Sequence, residues 1–92
     1  MTKICDYETI ELTADTVVER ECVNSSGRAY ATVDIMNIGD VDVLINSTGT
    51  FENGKYITLP AGTANNGKRF INSVRLYFKA DGADGKVTVL VQ

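Results

Sequence analysis

The 92-residue chain predicts an all-β domain, an antiparallel β-sandwich or a small Greek-key (jelly-roll-like) barrel of seven to eight strands. Three observations carry this. Short runs rich in Val, Ile, Thr and Tyr alternate apolar and polar side chains, the period of a strand with one buried face. Turn residues interrupt these runs at roughly the 8–12-residue spacing of sandwiches. No stretch holds a convincing helical period. The whole chain, 1–92, reads as a single domain. A domain this small buries only about 60–65% of its unfolded surface, so a partner or self-association would add margin to its stability.

Residues 1–6 show no clear period and read as a mobile or docking arm. From Tyr7 to Ala14, Ile10, Leu12 and Ala14 alternate with Thr9, Glu11 and Thr13, the pattern of a half-buried strand. Thr16 to Val23 follows as an edge strand. Its successive β-branched residues Thr16, Val17 and Val18 speak against a helix, and its charges discourage stray pairing. After the loop Asn24-Ser25-Ser26-Gly27 comes a long strand, Ala29 to Ile38. Gly39-Asp40 then suits a two-residue type II′ hairpin turn, returning through Val41 to Asn46. That register pairs Ile38 with Val41, Met36 with Val43 and Asp34 with Ile45. Val33, Ile35 and Leu44 occupy the opposite face, which makes both faces apolar. Phe51 and Tyr56 flank Asn53-Gly54, a strong hairpin signal. Tyr56 to Leu59 is a short strand closed by Pro60, which lacks a donor. Thr63 to Lys68 reads as a polar loop. Phe70 to Val91 reads as a long hairpin turning over Asp81 to Asp84, with Phe78 opposite Val87, Leu76 opposite Val89 and Val74 opposite Val91. The rest of the fold would have to cover its apolar face.

The composition removes several function classes. The net charge is −3, and Lys68-Arg69 is the only adjacent basic pair, so no clustered basic face is available for phosphates and no nucleic-acid partner is expected. There is no histidine, which excludes a Ser-His-Asp or Cys-His site within the chain. Cys5 and Cys22 match no metal-ligand spacing. They could close a disulfide, but no export segment is read ahead of them. Residues 1–16 carry Lys3, Asp6, Glu8 and Glu11 and no apolar run, so the reading is two reduced thiols. No stretch approaches the length of a membrane span, and no membrane partner is expected. Asp81-Gly82-Ala83-Asp84-Gly85 lacks the third acidic position and distant Glu of a calcium loop and reads as a polar turn. Glu19 and Glu21 share a strand face, but nothing places them in a cleft. The expectation is a protein that is not an enzyme and uses no cofactor or metal.

What remains is a surplus of apolar positions. Met36, Ile38, Val41, Val43 and Ile45 have the least reason to share one core and are the expected protein interface. The succession VDIMNIGDVDVLIN, then YITLPAG, then INSVRLYFKADGADGKVTVLVQ resembles small β-sandwich virion proteins of tailed bacteriophages, of the head decoration, head-fibre and tail accessory type. The resemblance spans about residues 30–92, and residues 1–28 add nothing to it. It implies a non-enzymatic virion structural protein, most simply a capsid decoration or auxiliary protein. Such a protein would bind capsid or other virion proteins as a homo-oligomer or lattice assembly, and would be made in the host bacterial cytoplasm. It carries over no catalytic residues. The alternative is a receptor- or carbohydrate-binding module of a tail fibre or secreted protein, with Tyr56, Arg75 and Tyr77 as its contacts. The absence of Trp, the commonest sugar-stacking platform, counts against it.

Overall fold

In the computed structural model, which describes residues 2–92, the alternating runs become nine strands. They are β1 (Lys3–Ile4), β2 (Tyr7–Leu12), β3 (Val18–Val23), β4 (Ala31–Asn37), β5 (Val43–Asn46), β6 (Ile57–Leu59), β7 (Ala64–Phe70), β8 (Ser73–Ala80) and β9 (Gly85–Val91). A five-stranded sheet runs β1-β3-β8-β5-β6 and a four-stranded sheet runs β2-β9-β4-β7. Among the described residues the strands pair antiparallel, apart from β1 beside β3 and an isolated parallel bridge between Ala14 and Ala80. The chain changes sheet at every connection except β5–β6, whose two strands are neighbours in one sheet. This is the strand order of a jelly roll, in which two Greek keys face each other.

The core is what alternation dictates. Ile10 and Leu12 of β2, Val33 and Ile35 of β4, and Val87 and Val89 of β9 point inward from one sheet. They meet Cys22 of β3, Val43 and Ile45 of β5, and Leu76, Phe78 and Ala80 of β8. Each large apolar side chain so buried contributes roughly 1.5–3 kcal/mol.

Two expected hairpins do not form. β8 pairs with β3 and β5, and β9 pairs with β2 and β4, so Phe78 and Val87 are not ladder partners. The two apolar rows face each other across the sandwich instead and need no third element to cover them. The Asp81–Asp84 loop is a corner between sheets, fastened to the end of β2: Ala14 N donates to Asp84 Oδ1 at 2.9 Å and Gly82 N to Asp15 Oδ1 at 3.0 Å. Likewise β4 and β5 lie in different sheets, so Met36 does not pair with Val43 nor Asp34 with Ile45. Gly39 is not the left-handed residue of a II′ turn, since its φ is not positive. It is needed because a Cβ there would lie 2.8 Å from the Lys86 backbone nitrogen.

Four further expectations change. Residues 64–70 form an edge strand, not a loop. β7 is polar up to Arg69 because those side chains are exposed, with Phe70 buried at its end, and a register shift opposite Val33 and Ile35 bulges it at Gly67, whose N–H donates to Asp34 Oδ1. The N-terminal arm is docked on its own chain: Ile4 is buried beside Cys22. Asn53 and Gly54 do take the two positive φ angles of a type I′ turn, 57° and 68°, but that turn joins Phe51 to Tyr56 without a strand ladder. Tyr56–Leu59 shortens to Ile57–Leu59, ending before Pro60.

The β2–β3 flank of the sandwich is closed by an ion pair. Arg20 donates from Nε and Nη2 to the two carboxylate oxygens of Glu8, at 3.0 and 3.2 Å. Beside it, burial and then the Glu8 charge push the Cys22 thiol up to about 11. Both cysteines are free, Cys5 exposed and Cys22 buried. A disulfide reagent at neutral pH should therefore modify one thiol per native chain and both in urea. The folded state keeps the Cys22 proton longer than the unfolded state, so this group's contribution to stability is complete below pH 9 and is lost as pH rises towards 11. Two rapidly reacting thiols in the native protein would contradict this burial.

Candidate functional site

No cluster of three or more His, Cys, Asp or Glu suited to a metal exists among the described residues. No helix among them is long and apolar enough to cross a membrane. The side chains expected to make contacts fall on the two outer sheet faces and in the core.

On the four-stranded sheet the register builds two outward rows. One runs Tyr7–Leu90–Asp34 and the next Thr9–Thr88–Met36–Ala64. Tyr7, Met36 and Leu90 are 68%, 52% and 41% exposed. They line a groove of about 230 Å³ whose other walls are Asp34, Ile35, Asn66 and Thr88. Ile38, 47% exposed, continues the apolar band beyond the end of β4, where its N–H donates to Lys86 O. Thr9 and Thr88 share a hydrogen bond of 3.1 Å across the middle of the face. Charges sit at its margin, with Lys86 Nζ 3.6 Å from Glu11. An apolar centre with a polar margin is the anatomy of a protein contact surface.

The five expected interface residues divide. Met36 and Ile38 lie on this exposed face. Val43 and Ile45 belong to the core, at 0% and 2% exposure, and Val41 packs partly buried against it. The expected hairpin placed all five on one face. The crossover between β4 and β5 sends Val43 and Ile45 inward from the other sheet. Tyr7 and Leu90 complete the band, and their sequence carried a usable signal. Tyr7 falls on the polar parity of Thr9 and Glu11, and Leu90 is out of step with Val87, Val89 and Val91.

The outer face of the five-stranded sheet holds Tyr56, Arg75 and Tyr77, without bringing them into one platform. Glu19, Tyr77 and Asn46 form one cross-strand row and Glu21 and Arg75 another. The Glu19 carboxylate beside its hydroxyl, with some desolvation, raises the Tyr77 pKa above 10.0, while Arg75 opposes the shift. The Tyr77 ring lies under Gly49, where a Cβ would come within 3.1 Å of it. Asn46 holds that loop, donating to Thr50 O at 2.7 Å and Lys55 O at 3.1 Å and accepting from Gly49 N at 2.9 Å. Tyr56 packs elsewhere, with its ring centroid 6.1 Å from that of Phe51, and Lys79 Nζ lies 5.6 Å from the Phe51 ring.

No family model and no curated protein matches the chain. Solved structures do match it. A de novo designed double-stranded β-helix has a TM-score of 0.60 at 13% identity, over 94% of this chain and 97% of that one. The likeness is one of fold. PirA matches with a TM-score of 0.63 at 14% identity, over 97% of this chain and 95% of that one. The Cupin_2 domain of an XRE family transcriptional regulator from Enterobacter cloacae gives 0.59 at 15% identity, over 95% of this chain and 79% of that one. All three support the double-stranded, jelly-roll arrangement of the strands. At such identities none transfers an activity, a ligand or a partner.

Proposed function

We propose that this jelly roll is a non-enzymatic structural protein of a tailed-phage virion, a decoration or auxiliary subunit that binds the head lattice. The observation that carries the reading is the uncovered apolar band of Tyr7, Met36, Ile38 and Leu90 on the four-stranded sheet. The resemblance of residues 30–92 to small virion β-sandwich proteins supplies the partner. Apolar burial at about 25 cal/mol per Å² makes even a modest contact effective when a lattice repeats it. The alternative of a glycan- or receptor-binding module has weaker support, because Tyr77 is half-buried under a loop and Tyr56 packs, tilted, against Phe51.

Quantitative mass spectrometry of purified particles from the source tests the reading. Hundreds of copies per particle are expected for a lattice-decorating subunit, and absence from the particle overturns it. The companion variants are Met36→Asp and Leu90→Asp. Their side chains are exposed, so the fold should survive while incorporation falls at least about tenfold, as expected when a charge is buried without a partner. Wild-type incorporation of both folded variants would remove this face from the interface. Val43→Asp or Ile45→Lys would not serve, since each puts a charge in the core.

A further inference from the structure

The chain carries two Asn-Gly pairs, Asn53-Gly54 and Asn66-Gly67, and the fold treats them differently. All four residues are exposed, and a Cβ added at either glycine would meet nothing within 4 Å. Such a pair has a chemistry of its own. With no Cβ on the following residue, its amide nitrogen can reach the asparagine side-chain carbonyl and close a five-membered ring. The asparagine ψ has to rotate until Cβ eclipses that nitrogen, so the backbone around the pair must open. Asn66-Gly67 lies within β7. Lys68 on one side is paired with Val33 and Asn65 on the other with Ile35, and the Gly67 N–H donates to Asp34 Oδ1 at 3.0 Å. Asn53-Gly54 lies at a loop tip, in one 3₁₀ turn over Glu52–Gly54 that belongs to neither sheet. Asn46 fastens the ends of that loop through Thr50 O and Lys55 O, so the turn between them can open without disturbing a sheet.

We propose that Asn53-Gly54 is a self-modifying site, which deamidates in the folded protein while the fold holds Asn66-Gly67 intact. The Gly54 nitrogen gives up its proton to solvent base and attacks Asn53 Cγ. The N–Cγ bond forms, the Cγ–Nδ2 bond breaks, and Nδ2 takes a proton back and leaves as ammonia. Water then opens the ring at either of its two carbonyls, giving aspartate or an isoaspartyl link. Water is the only co-reactant, and nothing is oxidised or reduced. The product adds one negative charge beside Glu52 to a chain whose net charge is −3, and the isoaspartyl form lengthens the backbone by one carbon. The altered loop is the one whose Gly49 covers Tyr77, on the outer face of the five-stranded sheet. The apolar band lies on the other sheet, so this inference stands or falls separately from the docking face.

The test is incubation of the full chain at mildly alkaline pH, in buffer and in guanidinium chloride, followed by digestion and mass spectrometry. Trypsin puts the two pairs in separate peptides, since Lys55 follows the first and Lys68 the second. In buffer, Asn53 should convert at least about tenfold faster than Asn66, the gap between opening one turn and opening a paired strand. In denaturant the two rates should converge, because only the fold tells the pairs apart. The product at Asn53 should contain both the aspartyl and the isoaspartyl form, separated by chromatography of the peptide. The proposal is overturned if Asn66 keeps pace with Asn53 in buffer, or if Asn53 converts only in denaturant. It is also overturned if Asn66 stays as slow in denaturant as in buffer, or if the product is aspartate alone, which would mean direct hydrolysis of the side chain without the ring.

Discussion

Phe78→Ala should cost about 3–5 kcal/mol, from a total of about 5–14 kcal/mol expected for a domain of this length at 0.05–0.15 kcal/mol per residue. Phe78 is fully buried and is the largest side chain in the core that is so. It sits on β8, the middle strand of the five-stranded sheet, with Val18 of β3 on one side and Ile45 of β5 on the other. A strand held on both edges cannot slide into the vacated volume, so most of the cavity persists and its cost falls at the upper end for a large-to-small change. Phe51→Ala, in a loop and only half-buried, removes a tilted ring contact with Tyr56 and should cost less than about 1.5 kcal/mol. Urea unfolding followed by circular dichroism compares the two. Equal shifts in midpoint would mean that β8 is not the centre of the core.

The inward rows are legible because period two is a direct record of which side of a strand is dry. Ile10 and Leu12, Leu76 and Phe78, and Val87 and Val89 all point inward as their spacing requires. What the period does not record is the sheet to which each strand belongs. A hairpin turning within one sheet and a corner turning between two leave the same alternation on both arms. Hence β8 with β9, and β4 with β5, look like hairpins in the sequence and are crossovers in the fold. Gly39 adds to the illusion. A glycine wanted for a positive φ and one wanted for lack of a Cβ are the same letter, and only the Lys86 backbone nitrogen distinguishes them. β7 is hidden for another reason. An edge strand without a buried row keeps no alternation to read, and Asn65, Asn66 and Gly67 look like loop residues wherever they stand. Ile4 makes β1 from two residues, below any periodic signal.

The candidate surface is half legible for the same cause. Met36 and Ile38 follow from an excess of apolar residues, but assigning that excess to a hairpin draws in Val43 and Ile45 from the wrong sheet. Tyr7 and Leu90 require the opposite inference. An apolar residue on the polar parity of a strand faces solvent by its own spacing, and two such residues on paired strands mark a patch.

Asn37→Leu should destabilise the fold by about 3–5 kcal/mol although it adds apolar volume to the interior. Asn37 is the one buried polar residue among those described, and its amide closes the crossover that the sequence disguises. Nδ2 donates to Val41 O at 2.9 Å and to Leu59 O at 2.8 Å, and Oδ1 accepts from Gly39 N at 3.1 Å. One side chain thus ties the end of β4 to the corner before β5 and to the end of β6. Its own backbone adds two more links, donating to Thr63 O and accepting from Gly62 N. Leu offers none of the side-chain bonds and leaves two carbonyls and an amide to find partners in a dry site, at about 1–3 kcal/mol each before relaxation. Asn37→Asp separates the polar role from the shape. A carboxylate can still accept from Gly39 but meets the Val41 and Leu59 carbonyls with no proton to give. Burial and this repulsion raise the folded-state pKa of the introduced carboxyl group above its unfolded value of about 4. The sign follows: the penalty is absent below both pKa values, grows as pH rises above about 4 and is complete above the folded pKa. Urea midpoints of the Asn37→Asp variant should therefore approach those of the wild type in acid and fall towards neutral pH, whereas the Asn37→Leu variant should stay weakened throughout. Parallel pH profiles for the two variants would mean that the buried amide does not hold the crossover by donating to those carbonyls.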